Sequence, residues 1–286
     1  MTKNSLYVLL KEIIRFVPER KINMKLGIIA SPKEESFKMA RSKGLDFLEF
    51  CINPVNNAEE FFNDLPRIKQ WMEEYGVEVG SVGRWKSNRI DEKGNIIPEE
   101  LELSYRLIDA ANYLNCTNFV CGCNYVDTLS YYENCTAAIE YFSKLIEYSR
   151  DKNVRISTYN CRKVNFVHNP MAWTIIHGHL KELGIKYDPS HSRYAGADYL
   201  KEIAEWGDRI YHFHVKGSLI IGGQRFDDPP AGLDQTDWGA VISILLAKNY
   251  TGGLSIEPHS SVWTGELGDK GVDFTINYMK KLLFRD

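Results

Sequence analysis

Eight times between Met24 and the C-terminus, a short apolar run rich in Val, Ile and aromatic residues is followed by a longer, more polar stretch. The runs are KLGIIA, LDFLEFCI, VEVGSVGRW, TNFVCGCN, VRISTYN, IKYD, IYHFHVK and GLSIEPH. Stretches between them, such as NAEEFFNDLPRIKQWMEEYG and CTAAIEYFSKLIEYSRDKN, carry apolar residues three to four apart and read as helices. Gly44, Gly76, Asn153 and Gly184 stand where helices stop before the next strand. Strand and helix in unbroken succession call for a parallel sheet covered by helices. With eight units and no composition break, a single (β/α)8 barrel over residues 24–286 is the expected fold, and a doubly wound sheet is the alternative. The length of 286 residues also admits two domains, but an α/β barrel of about 250 residues is one.

Residues 1–23 stand outside this rhythm and read as an appended helix. Lys11, Glu12 and Arg15 break its apolar run, so it cannot span a bilayer, and no small-residue cleavage site follows. Such a segment packs on the barrel or on a partner, and invites a homodimer. The six cysteines (Cys51, Cys116, Cys121, Cys123, Cys135 and Cys161) lack paired CxxC spacing and read as reduced thiols of a cytoplasmic protein. The net charge of −3 gives no basic footprint, so neither nucleic acid nor a membrane is an expected partner.

Alternation of side chains along the strands locates a candidate site. In IYHFHVK, Tyr211, Phe213 and Val215 face the helices, which turns His212, His214 and Lys216 to the axis. In GLSIEP, Leu254 and Ile256 face out, and Ser255 and Glu257 face in. In IKYD, Ile185 and Tyr187 face out and Asp188 faces in. Asp188, His214 and Glu257 then surround one axis at the strands' C-terminal ends, where barrels of this kind carry function. A lone inward histidine is ordinarily a satisfied core residue, but three polar strand ends together favour a site. Carboxylate, imidazole and carboxylate suit one divalent ion: Mn²⁺ before Zn²⁺, Mg²⁺ or Co²⁺.

YDPSH, HFHVKG, PPAGLDQTDW and LSIEPH together resemble the xylose isomerase-like TIM-barrel proteins, the sugar phosphate isomerase/epimerase superfamily, from about Met24 onward. The resemblance implies one divalent metal held by side chains of strands 5 to 8, the last three of them Asp188, His214 and Glu257. It also implies that His191 contacts substrate or assists proton transfer. The implied partner is a sugar or polyol, and the implied reaction is isomerisation or epimerisation by proton transfer.

The chain departs from the family at strand 5, which reads STYNC where relatives carry a ligand Glu; that position falls on Tyr159. Asn160 or water is a candidate to fill the vacancy, since a neutral phenol is a poor ligand. Loss of one of two opposed carboxylates points to one-sided proton transfer, as in aldose–ketose isomerisation or elimination of water from a keto-sugar or inosose. Catalytic candidates are Glu257, His191, Lys216 and Tyr159, with His212 a further proton carrier. Candidate substrate contacts are Glu49, Arg84, Trp85, Asn124, Asn160, His212 and Arg225. For Trp85 a cap over the barrel mouth, and for Arg225, Asp227 and Asp228 a solvated loop, are the bland alternatives. His177 and His179 read as packing or surface residues. Two further classes share the barrel: a carbohydrate-binding protein without catalysis, and an endonuclease IV-type repair enzyme. Seven histidines and a negative net charge speak against the latter.

Overall fold

The computed structural model of the chain describes residues 23–285. Residues 1–22, which carry nearly all of the expected N-terminal helix, and residue 286 lie outside the described residues. Eight parallel strands form a closed barrel: β1 (Lys25–Ile29), β2 (Phe47–Cys51), β3 (Glu78–Arg84), β4 (Asn118–Cys121), β5 (Arg155–Tyr159), β6 (Gly184–Tyr187), β7 (Ile210–Val215) and β10 (Gly253–Ile256). Pairing of β1 with β10, Lys25 opposite Gly253, closes the ring and rules out the doubly wound alternative. Around it lie α1 (Glu34–Ser42), α2 (Ala58–Tyr75), α3 (Pro98–Tyr113), α4 (Tyr131–Ser149), α5 (Pro170–His179), α6 (Pro189–Tyr194), α7 (Tyr199–Trp206), α8 (Trp238–Ala247) and α9 (Gly265–Leu282). None of the described helices is long and apolar enough to cross a membrane.

The outward residues of the strands, among them Leu26, Phe50, Val82, Ile156, Ile185, Phe213 and Leu254, form one buried layer with the helices. Each such side chain contributes about 1.5–3 kcal/mol when fully buried. Local chemistry starts the helices. Asn57 accepts hydrogen bonds from the Glu59 and Glu60 amides at the head of α2, and Ser130 and Glu133 form a reciprocal capping box on α4. Gly184 does not end a helix, as the sequence suggested. It opens β6, where a Cβ would meet the Tyr211 ring at 2.0 Å.

Inside the barrel, the end opposite the site is filled by one ring. Phe47 of β2 lies where a Cβ on Gly27 of β1, Gly80 of β3 or Gly253 of β10 would approach within 2.7 Å of it. Three strands therefore give up their side chains to one phenylalanine. Beyond it the interior turns polar, with buried Glu49, Ser81, Ser157, His212 and Ser255.

The long segment after β7 is not a plain loop. Leu219–Ile221 (β8) and Gln224–Asp227 (β9) form an antiparallel hairpin. Its turn is Gly222–Gly223, both at positive φ, as a two-residue hairpin turn requires. The hairpin brings Arg225, and Asp228 behind it, to the barrel mouth.

Candidate active site

A cavity of about 620 Å³ opens at the C-terminal end of the barrel, within the range of small-ligand sites. Its wall includes Trp85, Lys186, His191, His214, Lys216, Arg225 and Glu257. Lys186 was not among the residues singled out from the sequence. The same alternation that turns Ile185 and Tyr187 outward turns it in.

His214 is held from behind. Glu49, wholly buried on β2, accepts hydrogen bonds from His212 Nε2 at 2.7 Å and from His214 Nε2 at 2.9 Å. Burial works against the charge on Glu49, yet the two imidazoles hold its carboxyl well below the usual range. An ionised Glu49 fixes the Nε2 proton on both rings and leaves His214 Nδ1 toward the cavity. There it meets Glu257 Oε2 at 2.8 Å. Burial opposes the charge on His214, but Glu49 and Glu257 on either side raise its pKa above the ordinary value. Burial pulls His212 down.

Asp188 follows β6 and opens α6. Its Oδ1 accepts the Ser190 amide at 2.9 Å, while its Oδ2 is buried without a hydrogen bond. Lys216 Nζ and His191 Nε2 each stand 3.4 Å from that oxygen, and Lys216 is 3.8 Å from Glu257 Oε2. Burial pushes the Asp188 carboxyl up, but Lys216 and His191 bring it below its ordinary value. The same cation, with His214, overcomes burial to hold Glu257 well below the carboxylate range. Lys216 is raised in turn by Asp188 and Glu257 against the effect of burial and stays protonated. Burial pulls His191 down to about 4, so its ring is neutral near pH 7.

These residues suit a divalent ion. One donor atom from each of Asp188, His214 and Glu257 lies within 4.8 Å of the other two. The orphaned Oδ2 of Asp188 and the Nδ1 of His214 are the kind of donors that such an ion completes. Three protein ligands with open positions are the pattern of catalytic rather than structural centres. Glu49, His212 and His214 also lie within 4.8 Å of one another. That group is already hydrogen-bonded together and closed to solvent, so it reads as the support of His214.

Several residues expected from the sequence to contact substrate have their side chains engaged elsewhere. Arg84 forms a buried two-point ion pair with Glu100, at 2.6 and 2.9 Å, and reaches the Ile52 carbonyl at 3.0 Å, so it is not presented to the cavity. Asn124 accepts the Arg89 and Ile90 amides and donates to the Ile90 carbonyl, tying down the loop after β3. Asn160 donates to the Asp188 carbonyl at 2.8 Å and accepts the Asp188 amide at 2.9 Å. It holds the backbone of Asp188 with both ends of its amide. Glu49 and His212 lie beneath the cavity rather than in its wall. Tyr159 is buried, its ring stacked on Trp85 with centres 5.5 Å apart. Burial raises its phenol far above the ordinary value, which keeps it neutral. Trp85 and Arg225 do line the cavity. Arg225 pairs with Asp228 and lies 3.2 Å from His259 Nδ1.

The six cysteines are all free; Cys51 and Cys161 reach the cavity wall and the other four are buried. His177 on α5 is buried, with Nδ1 donating to the Leu183 carbonyl at 3.0 Å and Nε2 accepting from Thr158 Oγ1 at 3.0 Å.

A family model described as xylose isomerase-like TIM barrel matches residues 37–282. No curated protein matches the sequence. Among solved structures, D-allulose 3-epimerase from Methylomonas sp. in complex with D-allulose is similar at 17% identity and a TM-score of 0.71, over 91% of this chain and 97% of that one. The 3-keto-D-glucoside 4-epimerase from E. coli is similar at 16% identity and 0.71, over 90% and 99% of the two chains. The IOLI protein with a bound zinc atom is similar at 14% identity and 0.74, over 91% and 98%. At such identities the likeness is one of fold.

Proposed function

The chain belongs to the xylose isomerase-like TIM-barrel family, and on that premise we propose that it is a sugar isomerase- or epimerase-like enzyme that moves a proton on a carbohydrate or polyol with the help of one divalent ion. The observation that carries this reading is the meeting of Asp188, His214 and Glu257 at the end of the barrel where the cavity opens, with the buried Asp188 Oδ2 left without a hydrogen bond. The structural neighbours named for epimerases of D-allulose and of a 3-keto-glucoside, and the one with bound zinc, support it.

Asp188, His214 and Glu257 would hold the ion, Mn²⁺ first and Zn²⁺, Mg²⁺ or Co²⁺ next. When bound, such an ion polarises a carbonyl oxygen and spreads the negative charge that follows loss of a neighbouring proton. The chain's own residues do the rest. Neutral His191, whose Nε2 stands 3.4 Å from Asp188 Oδ2, accepts or returns the proton. Lys216, kept cationic, donates a hydrogen bond to the oxygen where charge develops. Glu257 is an ionised second proton acceptor. Trp85 gives an apolar surface for the face of a sugar ring.

Tyr159 favours a second reading. Its neutral phenol is stacked on Trp85 at the strand 5 position where the family resemblance leads one to expect a second carboxylate, and Glu257 is the one carboxylate of the cavity wall among the described residues. One-sided proton transfer suits aldose–ketose isomerisation, and it equally suits loss of water from a keto-sugar or inosose. Incubating metal-loaded protein with aldoses, ketoses and inososes in deuterium oxide tests both readings. Isomerisation puts deuterium into the recovered sugar, while elimination gives an absorbing enone. A protein that binds the sugars without either change is a carbohydrate-binding barrel instead.

A further inference from the structure

The cavity is far more cationic than neutral sugar chemistry needs. Lys86, Arg162, Lys163, Lys186, Lys216 and Arg225 all line it, against one carboxylate, Glu257. Adding Asp188 beside Lys216 and Asp228 beside Arg225 still leaves three cations uncompensated. This occurs in a chain whose net charge is −3, so the excess is local. A divalent ion on Asp188, His214 and Glu257 would increase it.

One of these cations is out of the ordinary. Lys186 is 2% exposed, rises from the middle of the barrel on β6, and forms neither an ion pair nor a hydrogen bond among the described residues. Its nearest recorded partner is the Trp85 ring, 5.7 Å from Nζ to ring centre. The Lys186 stem is buried while its ammonium opens into the cavity, so the pairing that an enclosed charge ordinarily has can come only from what enters there. Lys216, on the next strand, shows the usual arrangement, with Asp188 and Glu257 both near it. Lys86 adds a second sign of a built site: a non-glycine residue held at φ 61, a conformation that costs free energy and gathers at ligand sites.

We infer that the substrate carries an anionic group, a carboxylate or a phosphate, which pairs with Lys186 at the floor of the cavity while Lys86, Arg162 and Lys163 draw it in from the rim. This inference rests on reading the cavity as the substrate site. It narrows the substrate class from sugars in general to sugar acids or sugar phosphates. Long-range attraction from the exposed cations would add to the rate of capture and weaken with salt.

Titration calorimetry of the metal-loaded protein with two matched pairs tests it: D-fructose against 2-keto-D-gluconate, and D-ribulose against D-ribulose 5-phosphate. The first pair reports a carboxylate and the second a phosphate. The acid of at least one pair is expected to bind about tenfold or more tighter than its neutral partner, the scale of one charge-assisted contact. Lys186→Met should abolish that ratio. The exposed double variant Arg162→Ala/Lys163→Ala, where folding is not at stake, should lower it several-fold. Equal affinities within both pairs, no binding of either acid, or a ratio unchanged in both variants overturns the inference. Preference for an acid with no turnover of any sugar sinks the isomerase reading and leaves this one standing. Turnover of neutral sugars with no acid preference does the reverse.

Discussion

His191 is the residue whose chemistry is most easily separated from the metal's. It touches Asp188 at 3.4 Å yet stands at the cavity wall, and burial holds its pKa at about 4. His191→Ala should keep the metal and lower turnover by about 10²-fold or more, the range of a general acid–base group. Unchanged turnover would return it to the loop. Asn160 makes the complementary case. It grips both the amide and the carbonyl of Asp188, so Asn160→Ala should leave every proposed ligand in place and still weaken metal affinity by about 10–100-fold, as loss of ligand-orienting partners does. Metal titration reads this directly, and an unaltered affinity would reduce Asn160 to a loop brace. The sequence suggested a substrate contact for Asn160, Arg84 and Asn124 because each is a polar residue at or just past a strand end. What it does not carry is the partner: Asp188 is 28 residues from Asn160, Glu100 is 16 from Arg84 and Ile90 is 34 from Asn124. Lys186, by contrast, was legible. Parity alone places it inside, and only the habit of reading a lysine as a surface residue hides it.

At the scale of elements, periodicity carried most of the information. Each of the eight expected strands exists, and the inward turn of His212, His214 and Lys216 follows from the outward burial of Phe213 and Val215. The hairpin β8–β9 was missed because its strands have three and four residues, too few for alternation to show, although Gly222–Gly223 between them is a turn signal. Helix α5 carries a test of its own. His177 is fully buried against Thr158 and Leu183, and burial pulls its pKa from 6.5 to about 3. Its folded pKa lies below its unfolded value. Its neutral form therefore supports the fold fully above pH 6.5. As pH falls from there toward 3, the unfolded chain takes up a proton that the folded chain refuses, and stability drops. The slope is at most about 1.4 kcal/mol per pH unit. Urea unfolding at pH 7 and pH 5 should show a narrower gap for His177→Gln than for the parent. Equal gaps would mean that His177 is not the group responsible.

For the molecule as a whole, the closed barrel explains why residues far apart in sequence act on one cavity: β6, β7 and β10 are neighbours, and they deliver Asp188, His214 and Glu257 to the same end. The first strand begins at Lys25, beside β10 and β2, with Met24 buried at its head. A chain starting at Met24 should therefore fold and load metal as the full chain does, with any difference confined to self-association. Insoluble or metal-free protein would assign residues 1–23 to the barrel core. The proposed chemistry needs the divalent ion, and metal analysis of purified protein by mass spectrometry looks for that ion directly. The expected result is one divalent ion per chain, lost in His214→Ala while the circular dichroism spectrum is unchanged. Equal metal occupancy in His214→Ala and the parent, or no divalent ion in either after reconstitution with Mn²⁺, would contradict it.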